Sequence, residues 1–152
     1  MIQARRIQPQ DLDYILKHSD HFGIRQDMMI DKLDHMMLVI ENAKICGVGF
    51  FILHENKCLV NWVYIIEDYR RGKLGTMLVK TMLSTAEQQG ALQAYMHGNC
   101  DEFAEFLGFE KLQDNEQTSE VRALYQSVYK DSKLEQLYKV SLIDYFKSCC
   151  HK

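Results

Sequence analysis

Three strand-like segments follow one another without a break between residues 37 and 66, and a loop and a long amphipathic helix come directly after them. Met37 to Glu41 reads as the first strand, Asn42-Ala43-Lys44 as a turn, and Ile45 to His54 as the second strand. Glu55-Asn56-Lys57 is another turn, and Cys58 to Ile66 is the third strand. High β-branched and aromatic content with short polar turns makes these antiparallel hairpins. The last two are apolar on both faces, so they are expected to be central and covered. A chain organised this way is α/β with a mixed, mostly antiparallel sheet. It is not a doubly wound dinucleotide fold, in which parallel strands precede the phosphate loop.

The rest of the chain extends that frame. Residues 2–7 read as a strand stopped by Pro9, and Asp11 is placed to cap a helix carrying Leu12, Ile15 and Leu16 on one face. A second helical stretch spans Asp27 to His35. Beyond the hairpins, Val79, Met82, Leu83 and Ala86 fall at i, i+3, i+4 and i+7 of a helix from Leu74 to Gln89. Gly90 ends it. Ala91 to His97 is a strand, Asn99 with Glu102 opens a short helix to Leu107, and Phe109 to Leu112 starts another strand after Gly108. Thr118 to Tyr129 has helical spacing, and Leu137 to Leu142 reads as a last strand with Tyr138, Val140 and Leu142 on one face. The expected sheet has six or seven strands with helices on both faces. Residues 1–152 are expected to form one domain, with a core at about 2–112 and an added helix and strand at 118–145.

Composition removes several function classes. The chain has 152 residues, a net charge of −3 and scattered Lys and Arg, so nucleic acid is not an expected partner. No apolar run approaches the roughly 20 residues of a membrane span. The start, Met1-Ile2-Gln3-Ala4-Arg5-Arg6, lacks the apolar core of a signal peptide. The five cysteines are odd in number and have no framework spacing, which points to free thiols in a reducing, cytoplasmic setting. Cys149, Cys150 and His151 are not expected to make a metal site, because adjacent cysteines chelate poorly and no second ligand pair is spaced to complete a tetrahedral site.

Chemistry concentrates where the third strand enters the helix. Arg70-Arg71-Gly72-Lys73-Leu74-Gly75 joins them, and free N–H groups at a helix start suit a pyrophosphate. Glycines admit close approach of phosphates, and the arginines and lysine add positive charge. No Gly-Lys-Ser/Thr closes the loop, so it is not a Walker loop.

The order of hairpins, strand, Tyr69-Arg70-Arg71-Gly72-Lys73-Leu74-Gly75, helix, strand, short helix and Leu107-Gly108-Phe109 resembles the GNAT superfamily of acetyltransferases. Val63 to Gly75 resembles the family's acetyl-CoA motif, Arg/Gln-x-x-Gly-x-Gly/Ala. Phe103-Ala104-Glu105-Phe106-Leu107-Gly108-Phe109 resembles its Phe-Tyr-x-x-x-Gly-Phe motif. The resemblance covers residues 2–112. It implies that acetyl-CoA donates an acetyl group to a small-molecule or peptide amine by direct attack. It implies that the backbone of Tyr64, Ile65 and Ile66 pairs with pantetheine, where the fourth strand splays from the fifth. Residues 71–76, Arg71, Gly72, Lys73, Leu74, Gly75 and Thr76, would hold the pyrophosphate, with Arg70 at the rim. The Ile65 N–H would stabilise the oxyanion. A homodimer is a further expectation, since dimers are common in similar families.

Two positions depart from the pattern. The glycine at the motif's fourth position falls at Lys73, one residue after Gly72. The tyrosine that commonly protonates the departing thiolate falls at Ala104. Tyr95, Tyr125 and Tyr138 are alternative hydroxyls, His97 is an acid or base candidate at a strand end, and Glu67 could activate an amine through water. The family's frequent asparagine before the short helix falls at His97, with Asn99 nearby on the cofactor side. A domain of this type that binds acyl-CoA without turnover is the alternative expectation.

Overall fold

The computed structural model describes residues 2–17, 36–70, 72–97, 101–112, 136–143 and 145–146. The helices expected at Asp27–His35 and Thr118–Tyr129 lie outside these residues, as do Arg71, Asn99 and Tyr125.

Strand β1 (Ile2–Arg6) leads into helix α1 (Pro9–Lys17). Pro9 is therefore not a strand stop but the first residue of the helix, where a missing N–H is no loss. Asp11, expected as the cap, sits inside the first turn. Its carboxylate accepts the Gln8 backbone N–H at 2.8 Å, the return half of a capping box. It also accepts both arms of the Arg5 guanidinium, at 2.7 and 3.0 Å. The Arg5 bonds are the main reason the Asp11 carboxyl is held below its usual range, against the opposing effect of burial.

The hairpins form as the alternation requires. They are β2 (Met36–Glu41), β3 (Lys44–His54) and β4 (Lys57–Ile65). Asn42 and Ala43 have φ of 52° and 68°, so the β2–β3 loop is a two-residue turn with both central residues left-handed. That geometry matches the twist of the flanking strands. β3 is buried from Cys46 to Ile52, in agreement with its two apolar faces.

After a 3₁₀ turn (Glu67–Tyr69) come α2 (Leu74–Gln88), β5 (Gln93–His97), α3 (Asp101–Phe106), β6 (Glu110–Lys111) and β7 (Leu137–Ser141). Val79, Met82, Leu83 and Ala86 of α2 are all fully buried. Both α2 and α3 end in the same glycine cap. Gly90, at φ 104°, donates to Glu87 O while Ala91 donates to Ala86 O. Gly108, at φ 91°, donates to Glu105 O while Phe109 donates to Ala104 O. These paired bonds satisfy carbonyls that a helix end leaves open.

Among the described residues, seven strands hydrogen-bond in the order β1-β2-β3-β4-β5-β7-β6. β4 and β5 are parallel, and the other described ladders are antiparallel. The sheet is thus mixed, mostly antiparallel and flanked by helices, an α/β architecture. The last strand does not add at an edge. β7 pairs with β5 on one side and β6 on the other. Of the strand expected at Phe109–Leu112, Glu110 and Lys111 form β6, and Leu112 continues the pairing by donating its N–H to Leu137 O at 2.9 Å; Phe109 and Leu112 are buried.

The chain forms two compact units, Met1–Phe51 with Trp62–Thr85 and Ile52–Asn61 with Ala86–Lys152. In the first, Ile15, Met36, Leu38, Val48 and Phe50 form a buried cluster, with Ile7, Ile40, Ile45, Tyr64 and Ile66 packed against it. In the second, the parallel ladder runs from Lys57↔Gln93 to Val60↔Met96. There Tyr145 donates its hydroxyl to Leu107 O at 2.6 Å, and Gln136 bridges Leu112 O and Leu137 O.

Candidate functional site: the end of β4 and the start of α2

The first unit carries Tyr64, Ile65, Ile66, Glu67, Arg70, Gly72, Lys73, Leu74, Gly75 and Thr76 on one continuous path from strand to helix. His97 closes β5 in the second unit, opposite Leu137.

At the strand end, Ile66 N–H donates to Cys46 O of β3 at 2.8 Å. In an extended strand a residue's N–H and C=O point to the same edge, and neighbours alternate. Tyr64 therefore turns its backbone groups to β3, as does the Ile66 N–H, while the Ile66 carbonyl accepts the Tyr69 N–H at 2.8 Å and opens the 3₁₀ turn. Of the three residues expected to meet pantetheine, Ile65 is the one whose groups face the other edge. Its carbonyl accepts the Arg70 Nε–H at 2.8 Å, and the Arg70 guanidinium lies over the Tyr64 ring, 5.1 Å from the centroid. β3 approaches closely here because residue 47 is glycine. A Cβ on Gly47 would lie 2.4 Å from Ile65 Cδ1, 2.9 Å from Val39 Cγ1 and 3.0 Å from Tyr64 O. Sequence reasoning missed this role. The signal was present as a glycine inside an apolar strand, which marks close approach of a neighbour.

The helix start has an unusual composition. Lys73 O accepts the Met77 N–H at 3.0 Å, so Lys73 is the N-cap residue of α2. A lysine has no acceptor to offer the open N–H groups of the first turn, and that turn contains no acidic residue. Gly72 is exposed, and a Cβ there would meet nothing nearer than Tyr69 O at 3.9 Å. Neither packing nor a positive φ demands glycine at 72, which leaves the loop open to an incoming group. Open N–H donors, the positive helix end and the exposed Lys73 together fit an anion. From Lys73 and Thr76 a cavity of about 470 Å³ continues along Met77, Lys80, Thr81, Ser84 and Thr85. Thr81 and Thr85 turn their hydroxyls back to Met77 O and Thr81 O.

Glu67 is exposed in the 3₁₀ turn and His97 is half-buried. Ala104 is fully buried within α3. Of the alternative hydroxyls, Tyr95 meets Gln93 Oε1 at 3.1 Å. Tyr138 donates to Asp101 Oδ1. This hydrogen bond is the main cause that holds the Asp101 carboxyl below its usual range. Among the described residues there is no cluster of metal-ligating side chains, and no helix is long and apolar enough to cross a membrane.

Residues 4–109 match the family model described as Acetyltransferase (GNAT) family. This chain belongs to the GNAT family. No curated protein matches it significantly in sequence. Solved GNAT structures match its fold. An N-acetylglutamate synthase from Neisseria gonorrhoeae, complexed with coenzyme A and N-acetyl-glutamate, superposes with a TM-score of 0.72 at 11% identity over 93% of this chain. The GNAT chain spans 35% of that enzyme's length. A GNAT family acetyltransferase from Staphylococcus aureus gives 0.67 at 18% identity, covering 93% of this chain and 99% of its own. The PaiA N-acetyltransferase of Thermoplasma acidophilum, in complex with coenzyme A, gives 0.66 at 11% identity with the same two coverages.

Proposed function

We propose that this GNAT chain is an N-acetyltransferase that moves an acetyl group from acetyl-CoA to the primary amine of a small molecule or peptide. The observation that carries the reading is the helix start at Lys73. It has donors that no described side chain caps, no carboxylate in its first turn and an exposed cation, and a 3₁₀ turn and a short loop connect it to the strand that ends at Ile65. Acetyl-CoA is a substrate in this scheme and brings the thioester to be attacked. The first-turn N–H groups and Lys73 hold its pyrophosphate. The Ile65 N–H stabilises negative charge on the carbonyl oxygen as the amine nitrogen bonds to the carbonyl carbon. The C–S bond then breaks. The thiolate leaves and takes a proton, and the new amide nitrogen loses one. Glu67 and His97 are the candidates for moving those protons.

A second reading is favoured by one observation. Ala104, at the place of the family's usual acid, is fully buried and carries no proton donor. A domain that binds acyl-CoA as a regulatory or scaffolding module, without turnover, fits it. Calorimetric titration with acetyl-CoA and with its dephospho analogue, followed by thiol release across a panel of amines, separates the two. Phosphate-dependent binding with thiol release supports transfer. Binding without release for any amine supports the module, and no binding by folded protein refutes both.

A further inference from the structure

We infer that Arg70 is a positioning residue that acts on the acyl donor through the backbone of Ile65 and not through its charge on the phosphates; this rests on the acetyl-CoA reading above. Arg70 opens the loop, where a cation is expected to meet phosphate. Its geometry points elsewhere. The Nε–H is committed to Ile65 O at 2.8 Å, and the guanidinium covers the Tyr64 ring at 5.1 Å. A guanidinium suits this double task, because it donates in its plane and stacks through its face. The bond falls on the edge of β4 that faces away from β3, since Ile66 N–H is taken by Cys46 O. That is the edge to which the Ile65 N–H also points.

Ile65 is thus held from three directions. The Cys46 carbonyl fixes the next peptide from β3. The missing side chain at Gly47 admits Ile65 Cδ1 and the Tyr64 carbonyl. Arg70 fixes the Ile65 carbonyl. The oxyanion donor is useful only if it is aimed before the reaction begins, and Arg70 sets the adjacent carbonyl. The positive charge for phosphate falls to Lys73 at the helix start.

Two variants separate backbone bonding from charge. Gln Nε2 is as many bonds from Cα as Arg Nε, so Arg70→Gln keeps a donor at that place and removes the charge. Met has a methyl group there, so Arg70→Met removes both. Acetyl-CoA affinity would be measured by calorimetry at several ionic strengths, with Ile65 and Ile66 amide resonances recorded in ligand-free protein. Arg70→Gln is expected to keep affinity within about threefold, with unchanged ionic-strength dependence and unchanged amide positions. Arg70→Met is expected to weaken binding by about tenfold or more and to shift both amides in the absence of ligand. Equal losses in both variants, with a flatter ionic-strength dependence, overturn the inference and leave the acetyl-CoA reading standing. Wild-type protein that binds no acetyl-CoA refutes the reading itself. If Arg70→Met does not fold, Arg70→Gln decides alone, because a charge contact requires loss and a backbone bond requires retention.

Discussion

Replacing Lys73 with Asp should make the protein more stable and the acyl donor weaker. Lys73 is the N-cap of α2, as its carbonyl receives the Met77 N–H at 3.0 Å. It offers the first turn no acceptor, and it places a cation beside the positive end of the helix. An aspartate would accept one of the open N–H groups, worth about 1 kcal/mol. It would also reverse an unfavourable charge–dipole term of about 0.3–1 kcal/mol. The sum is about 1–2 kcal/mol of added stability, or roughly 3–6 °C in the unfolding midpoint for a domain of this size. The same carboxylate would stand where phosphate is proposed to sit, so the dissociation constant for acetyl-CoA should rise at least about tenfold, equal to about 1.4 kcal/mol. Urea unfolding without ligand gives the first quantity, and calorimetry at low ionic strength gives the second. A variant that is less stable than wild type would refute the capping argument. Unchanged affinity in the folded variant would refute the placement of the phosphates.

Gly47→Ala should destabilise the fold by about 1–3 kcal/mol in urea unfolding, because its Cβ would lie 2.4 Å from Ile65 Cδ1 and 3.0 Å from Tyr64 O. Ala43→Gly should stabilise it by about 0.5–1 kcal/mol, since Ala43 holds a φ of 68° that an L-residue adopts at a cost; an unchanged midpoint would argue against strain in that turn. The Asp11 carboxyl is lowered in the fold by the Arg5 hydrogen bonds, so its contribution is whole above about pH 5 and is lost as pH falls below about 4 towards the lowered value. Arg5 and Gln8 lose their ionised acceptor in Asp11→Asn, which should therefore be less stable at pH 7 and lose less on acidification; urea midpoints from pH 7 to pH 3 give both slopes. Gly75→Asp, which puts a side chain and a negative charge into the first turn of α2, should weaken acetyl-CoA binding strongly without unfolding the protein, as read by calorimetry beside a thermal melt.

The parts of the fold that local chemistry determines could be read from the residues. Alternation and polar turns placed β2, β3 and β4 to within a residue at each end, and four apolar positions at helical spacing placed the buried face of α2. Gly90 and Gly108 were legible as helix ends because a left-handed cap excludes most other residues. Non-local facts were not legible. Nothing in residues 137–141 says that they pair with both β5 and β6. Asp11 reads equally well as an N-cap or as the third residue of the first turn, until the Gln8 N–H is seen to reach it. In the site, the loop and helix start were legible from charge and glycine, while the roles of Gly47 and Arg70 were not. The role of Gly47 depends on which neighbour lies within 3 Å across the sheet, and that of Arg70 on how the turn after β4 folds its side chain back onto Ile65 O; residue types alone do not contain that information.

The interior position of β7 has a consequence for synthesis. Ribosomes deliver β5 and β6 before β7, yet among the described residues β6 joins the sheet through β7 alone. Until residues 137–141 emerge, the nascent second unit shows the β5 edge, from Gln93 to His97, as a row of unpaired donors and acceptors. A chain released early would keep that edge bare and would leave β6 without a partner. Stalled or prematurely terminated products should therefore be recovered in aggregates or bound to chaperones, while chains that include residues 137–141 pair both strands.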